Sequence, residues 1–191
     1  MSGETAVATS ALGFLSVLEH PQHGLFGGYL VLNMAGRPLE FHCTAPIKPN
    51  RAQEILYGPT LQPFLYGEQI GQALLAKATI DPVFVFTDRK PAMAVQEHVS
   101  VPVLLVLPPD ERLATEHEEK VLRFDSAHQH SPAMMPFELG RNRLATFNNA
   151  EADHRLLVER LGSVVESFDL AEPFSRIREA IEEAQQAVRS G

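Results

Sequence analysis

The chain has 191 residues, of which 45% are hydrophobic and 21% charged, a composition typical of soluble globular proteins and unlike that of disordered or coiled-coil chains. Its 24 acidic and 16 basic residues give a formal net charge of -8, which disfavours phosphate backbones and anionic lipid surfaces as partners. The single cysteine, Cys43, excludes an intrachain disulfide and a multi-cysteine zinc motif. We therefore predict a cytoplasmic protein that binds neither nucleic acid nor membrane.

The organisation of the chain is predicted to be simple. Residues 1–11 have neither the basic region nor the sustained apolar stretch of a secretory signal, so we predict a flexible tail there. No apolar run approaches the roughly 18 to 20 residues of a membrane-spanning helix. Residues 12–191 have the length of one ordinary domain and contain no low-complexity linker, which predicts a single globular α/β domain.

The first third of the chain has the pattern of an antiparallel meander. Three strand-like segments, "LGFLSVLEH", "YLVLN" and "LEFHCTA", are separated by short turns that contain glycine and proline. The last segment alternates, so that Leu39, Phe41 and Cys43 share one face, which we predict to be buried. Cys43 is then a small buried hydrophobe rather than an activated thiol. "YLVLN" does not alternate and is predicted to lie nearer the centre of the sheet.

Helices and a parallel strand pair are predicted in the middle of the chain. Asn50 and Gln53 form a plausible capping box for a helix that Gly58-Pro59 ends, and a second helix is predicted over residues 61–78. The apolar runs "PVFVFTD" and "VPVLLVLP" predict two buried strands, and the twelve residues between them are long enough for a parallel crossover. Asp88 is predicted to cap the short crossover helix.

The C-terminal third combines weaker signals. "KVLRFD" and "RLATFN" are strand candidates, while "SPAMMPFELG" has no strand or helix period and is either a core plug or an exposed contact surface. Asn148 and Glu151 predict the start of a helix, and a final amphipathic helix covers residues 173–188 with Arg178 on its outer face. The fold class is therefore α/β, with α+β as the alternative. It has a mixed central sheet, an N-terminal antiparallel meander, a parallel crossover pair and packed helices, two of them C-terminal.

Metal binding is considered because histidines and carboxylates cluster twice. The two groups are Glu19, His20 and His23 in "LEHPQH", and Asp125, His128 and His130 in "FDSAHQH". Neither has a specific metal-binding spacing, and both contain or adjoin residues typical of loops, so solvated loop histidines are the favoured interpretation. The candidate metal ligands are His20, His23, His128 and His130.

Catalysis by carboxylates is the other chemical hypothesis. Asp88 and Asp125 each follow a predicted strand, where open α/β sheets tend to place ligands and reactive groups. Helix capping by Asp88 and a turn role for Asp125 are the simpler alternatives.

The leading functional hypothesis follows from the lack of a recognisable catalytic motif. It is a non-enzymatic, homo-oligomeric protein-interaction or regulatory module without a cofactor, whose partner is a protein or a second copy. The alternative is a small hydrolase or phosphoryl-transfer enzyme that uses these carboxylates and histidines with a divalent metal.

Overall fold

The computed structural model describes residues 10–108, 134–147, 155, 157–162 and 168–190. They form two compact units. The first comprises the described residues up to Leu104 together with those from Glu172 onward, and the second comprises the described residues from Leu105 to Ala171.

Seven strands make one mixed sheet in the order β3-β2-β1-β4-β5-β7-β6, which confirms the predicted mixed α/β architecture. The strands are β1 (Ala11–His20), β2 (Gly24–Asn33), β3 (Pro38–Cys43), β4 (Phe84–Thr87), β5 (Val103–Leu107), β6 (Met134–Leu139) and β7 (Asn142–Phe147). In the first unit β2 is antiparallel to both β1 and β3, and β4 is parallel to β1. The predicted meander is therefore present. The parallel partner of β4 is β1, and β5 is its other neighbour in the sheet.

The helices follow the predicted segments. They are α1 (Arg51–Tyr57), a 3-10 turn (Gly58–Thr60), α2 (residues 61–77, π-helical over Phe64–Gln72), a 3-10 helix (Lys90–His98), a helical segment at residues 157–162, and α3 (Glu172–Ser190). The predicted capping box is confirmed, because the Asn50 side chain accepts from Gln53 N at 2.9 Å and the Gln53 side chain accepts from Asn50 N at 3.0 Å. Among the described residues, no helix is long and apolar enough to cross a membrane.

Two adjacent glycines in β2 let helices approach both faces of the sheet. A Cβ at Gly27 would collide with Ile70 and Leu74 of α2, and one at Gly28 would collide with Ile177 and Ile181 of α3. Successive residues of a strand face opposite sides, so α2 covers one face of β2 and α3 covers the other. This double cover explains why β2 is buried along nearly its whole length, as the non-alternating sequence predicts.

The aromatic core lies between the centre of the sheet and α3. Phe14 of β1 stacks on Phe86 of β4, with ring centroids 5.4 Å apart, and meets Phe174 of α3 edge-on at 5.7 Å. All three rings are buried. Residues of β1 on the same side as Phe14, Ser16 among them, therefore face α3.

The prediction for β3 was right about the strand and wrong about its buried face. Leu39 and Phe41 are 41% and 38% exposed, and Cys43 is exposed as well. Cys43 is therefore not the buried hydrophobe that the alternation predicts. The reason is position: β3 is the edge strand of the sheet, whereas α3 packs over β1 and β2. Alternation identifies the residues that share a face, but it does not show whether a helix covers that face.

In the second unit, β6 and β7 form an antiparallel hairpin that turns at Gly140, where φ is +59°. The prediction of an irregular segment over "SPAMMPFELG" was wrong for Met134–Leu139, which is strand β6. Pairing with β7 imposes the strand despite the proline at position 136. The buried Asn142 donates to Phe168 O at 2.8 Å and accepts from Leu170 N at 3.1 Å. The predicted strand "KVLRFD" and the Asn148–Glu151 capping box lie outside the described residues.

Candidate active site at the end of β4

The site is located by the parallel pairing of two central strands. Leu15 of β1 pairs with Thr87 of β4, so Asp88 follows its strand beside Ser16. The Ser16 hydroxyl donates to Asp88 Oδ1 at 2.7 Å, and Ser16 is fully buried. A buried hydroxyl needs a partner, and here that bond fixes the orientation of the Asp88 carboxylate at the carboxyl end of β4. Open α/β sheets commonly place ligands at such strand ends.

Two arginines surround the same carboxylate. Arg178 of α3 donates from Nη1 to Asp88 Oδ2 at 3.0 Å, and its Nη2 donates to Ser175 Oγ at 3.2 Å. Arg89 Nε lies 3.9 Å from Asp88 Oδ1. The exposed fractions of the side chains are 19% for Asp88, 39% for Arg178 and 43% for Arg89. The four residues Ser16, Asp88, Arg89 and Arg178 form the Asp88 cluster, in which both guanidinium groups reach solvent.

The structure corrects two sequence-based predictions at this point. Asp88 does not cap the short helix Lys90–His98, because Arg89 occupies the N-cap and makes no side-chain capping bond. Arg178 is half-buried against Asp88 rather than free on the outer face of α3. The ion pair joins residues 90 positions apart. Local patterns carry no signal for a contact of that separation.

A second polar pair, Glu19 and Tyr66, lies near Arg89. The hydroxyl of Tyr66, a buried residue of α2, donates to the carboxylate of Glu19 on β1. Burial raises the pKa of Tyr66 above its usual value, and the hydrogen bond to Glu19 and its charge act in the same direction. Arg89 opposes them and lowers this pKa, which places its charge within electrostatic reach of the phenol. Tyr66 therefore stays protonated and serves as a hydrogen-bond donor.

His20 and His23 lie together but away from Asp88. Their ring centroids are 4.6 Å apart, and His20 Nδ1 accepts from the backbone N–H groups of Gln22 at 3.1 Å and His23 at 3.2 Å. His20 thus stabilises the turn between β1 and β2. It follows Ser16 by four residues, about 13 Å along an extended strand at about 3.3 Å per residue. The described part of the chain brings neither histidine to the Asp88 cluster.

The described residues do not fit a resident divalent metal. Among them no group of three or more histidine, cysteine, aspartate or glutamate side chains is arranged to hold a metal ion. Both Asp88 oxygens already accept hydrogen bonds, and two guanidinium groups nearby repel a cation. Asp125, His128 and His130 lie outside the described residues, so their roles stay predictions. The arrangement around Asp88 suits an anion better than a metal.

The sequence matches no family model and no curated protein. Among solved structures, the chain is similar in fold to the catalytic domain of human endonuclease V, with 14% identity, a TM-score of 0.45, and coverage of 96% of this chain and 84% of that one. A second structure of human endonuclease V gives 14% identity, a TM-score of 0.44, and coverage of 96% and 86%. Endonuclease V of Ciona intestinalis, in complex with a 23-nucleotide DNA containing inosine, gives 12% identity, a TM-score of 0.37, and coverage of 78% and 76%.

These neighbours overturn the leading functional hypothesis. They are nucleases, and one is in complex with DNA, which contradicts the non-enzymatic interaction module and the exclusion of nucleic acid. At this level of similarity they do not assign the chain to their family. The exclusion of nucleic acid was drawn from a net charge of -8. A total charge does not describe its distribution, and the Asp88 cluster presents two half-exposed arginines at one point.

Proposed function

We propose that this protein is an enzyme that acts on a phosphate ester at the Asp88 cluster. The observation that carries the proposal is the Asp88 carboxylate held between Ser16 and Arg178, with Arg89 beside it, at the carboxyl end of β4 where that strand pairs with the middle of β1. Guanidinium groups bind phosphate oxygens through charge-assisted hydrogen bonds and remain charged at any working pH.

In the proposed reaction each charged residue has one role. Arg89 and Arg178 bind the phosphate oxygens and stabilise the negative charge that develops in the transition state. The oxygen of the attacking water forms a bond to phosphorus, and Asp88 accepts a proton from that water. The ester oxygen leaves with the bonding electron pair and takes a proton from solvent. The buried Ser16 hydroxyl is a positioning group, since it fixes the carboxylate but has no access to substrate.

The predicted residues Asp125, His128 and His130 remain candidates for a metal-assisted version of this reaction. A divalent ion would stabilise charge on the phosphate and lower the pKa of a bound water. The described residues do not provide such a site, so the ion is treated as an assay variable. A cytoplasmic location also stays a proposal. It is supported by the single cysteine, and fractionation of cells expressing the protein would test it.

The proposal is tested with phosphate esters of three kinds: a monoester, a simple diester and nucleic acid. The protein is assayed on p-nitrophenyl phosphate, bis(p-nitrophenyl) phosphate and single- and double-stranded oligonucleotides, each with Mg²⁺, Mn²⁺ or EDTA. We expect Asp88→Asn to lower kcat/KM by about 100-fold or more on the substrate that is cleaved, because it removes the general base. Arg178→Gln removes one charged hydrogen bond of about 2 kcal/mol, which corresponds to about 30-fold in kcat/KM.

Arg176→Gln is the matched control, because Arg176 lies on the same helix but donates to Gly36 O and pairs with Glu172. It should change kcat/KM by less than about twofold, as expected for a residue remote from the chemistry. Thermal melts of all variants exclude unfolding as the cause of a loss. Cleavage of none of the substrates, or equal losses in the Arg176 and Arg178 variants, would overturn the proposal.

A further inference from the structure

A cavity of about 410 Å³ lies in the first unit, on the same face of the sheet as α3. Phe26 of β2 and Cys43 of β3 contribute to it from the sheet, Thr44 to Pro46 line it from the chain that follows β3, and Ile181, Ala184 and Gln185 line it from α3. His23 in the β1–β2 turn completes the lining. None of the residues of the Asp88 cluster lines this cavity, so it is a separate site.

The lining determines what the cavity can accept. Its surface is almost entirely apolar, and among the described residues no aspartate, glutamate, lysine or arginine is part of it. Burying an unpaired ion there would cost several kcal/mol, so a charged ligand is disfavoured. Polar side chains in the lining are few: the Gln185 amide and the His23 ring. The Thr44 hydroxyl accepts from Gly27 N at 2.9 Å, and its side chain lies on the face of the sheet that α2 covers. Ligand pockets typically have this combination of an apolar lining with a few polar groups that fix orientation.

The volume sets the size of the ligand. An apolar cavity of about 150 Å³ accommodates a benzene molecule, and the cavity here is between two and three times as large. It also falls within the range of about 300 to 1,000 Å³ that is usual for small-molecule sites. A compact neutral molecule with two or three fused or linked rings therefore matches both the space and the lining.

We propose that this cavity binds a neutral, predominantly apolar molecule of two or three rings, with one hydrogen-bonding group directed to Gln185. Binding is driven by removal of the exposed apolar surfaces of Ala45, Pro46, Ala184 and the ligand from water. Cys43 is a reporter in this site rather than a reactant. It is the only cysteine of the chain, it is exposed, and it lines the cavity.

The first test uses the neutral dye N-phenyl-1-naphthylamine, titrated against the full chain and followed by fluorescence and by the rate at which Cys43 reacts with a thiol reagent. We expect saturable binding of one dye per chain. At a dye concentration ten times Kd, only about one site in eleven is empty, so Cys43 should react about tenfold more slowly. No saturable binding, or an unchanged Cys43 rate at saturation, would overturn the proposal.

A pair of tryptophan variants locates the bound dye. Ala184 is exposed on the wall of the cavity, and Ala184→Trp places an indole in the space without disturbing the core. Its neighbour Glu183 is exposed and is not part of the lining, so Glu183→Trp is the matched control. We expect dye affinity to fall by at least about tenfold, or 1.4 kcal/mol, in the first variant and to change less than about twofold in the second. Equal affinities in both variants would place the dye elsewhere and overturn the proposal.

The cavity and the Asp88 cluster can be tested independently. Asp88→Asn should leave dye affinity unchanged, and Ala184→Trp should leave phosphate-ester cleavage unchanged, since the two sites share no residue. Loss of cleavage without loss of dye binding would leave the cavity proposal standing, and the reverse result would leave the enzyme proposal standing.

Discussion

The centre of the sheet and its edge differ in the burial of their apolar residues. In β1, Phe14 is fully buried between Phe86 and Phe174, whereas Phe41 in β3 is 38% exposed. Both are phenylalanines in a strand of the same meander. The difference arises because α3 covers β1 and β2 while β3 forms the edge. An apolar residue in a strand therefore stabilises the fold only as far as another element covers it.

The largest expected effect comes from truncating the two phenylalanines. Phe14→Ala removes a fully buried ring and leaves a cavity, which costs about 3 to 5 kcal/mol of unfolding free energy. Phe41→Ala removes a partly exposed ring at the edge and should cost less than about 1 kcal/mol. Urea denaturation followed by circular dichroism measures both. Similar losses in the two variants would show that the edge strand is covered to the same degree as the centre.

Much of this fold can be predicted from the sequence, because its local signals agree with its tertiary contacts. The presence of three meander strands, the capping box at Asn50 and the extent of the last helix follow from short-range patterns, although β2 begins at Gly24, within the segment predicted as a turn. The exposure of β3 and the strand at Met134–Leu139 cannot be predicted from such patterns. Each depends on a neighbour, the edge position for β3 and the pairing with β7 for β6.

A smaller effect is expected at Gly28, where the sheet meets α3. A Cβ there would collide with Ile177 Cγ2 and lie 2.9 Å from Ile181 Cδ1. Gly28→Ala should therefore destabilise the protein by about 1 to 3 kcal/mol through overpacking. In an Ile177→Ala background the collision with the branched methyl is absent, and the added cost should fall below about 1 kcal/mol. A double-mutant cycle measures this coupling, and additive costs would mean that α3 does not press on β2 at this position.

The candidate active site could be predicted only in part. The position of Asp88 after a buried strand is visible in the sequence, and so is its potential for chemistry. Its partners are not: Ser16 and Arg178 lie 72 and 90 positions away along the chain, and they meet only because β1 pairs with β4 and α3 packs on that face. The arginine contacts also change the expected ligand from a cation to an anion, which the count of histidines and carboxylates could not indicate.

On the opposite face of the edge strand, Glu40 forms hydrogen bonds to the segment that follows α2. Glu40 accepts hydrogen bonds from Thr79 N and Thr79 Oγ1 at 3.0 Å and from Ile80 N at 3.2 Å. The Thr79 backbone bond is the main cause of a pKa lowered from 4.5 to about 2; burial opposes it, and His42, whose Nε2 lies 3.1 Å from Glu40, lowers it further. The edge of the sheet is thus tied to the segment after α2 through a carboxylate.

The smallest expected effect at neutral pH, and the one with a distinctive pH dependence, comes from Glu40→Gln. A depressed folded-state pKa stabilises the protein above the unfolded-state value, and this stabilisation is lost as the pH falls from about 4.5 to about 2. The variant should therefore melt below the wild-type temperature at pH 7, and the two melting temperatures should converge as the pH approaches 2. Glu183→Gln, at an exposed position of α3, should show neither effect. A gap between Glu40→Gln and wild type that persists at pH 2 would mean that the lost contact is steric rather than ionic, and that the edge strand is not held by the charge of Glu40.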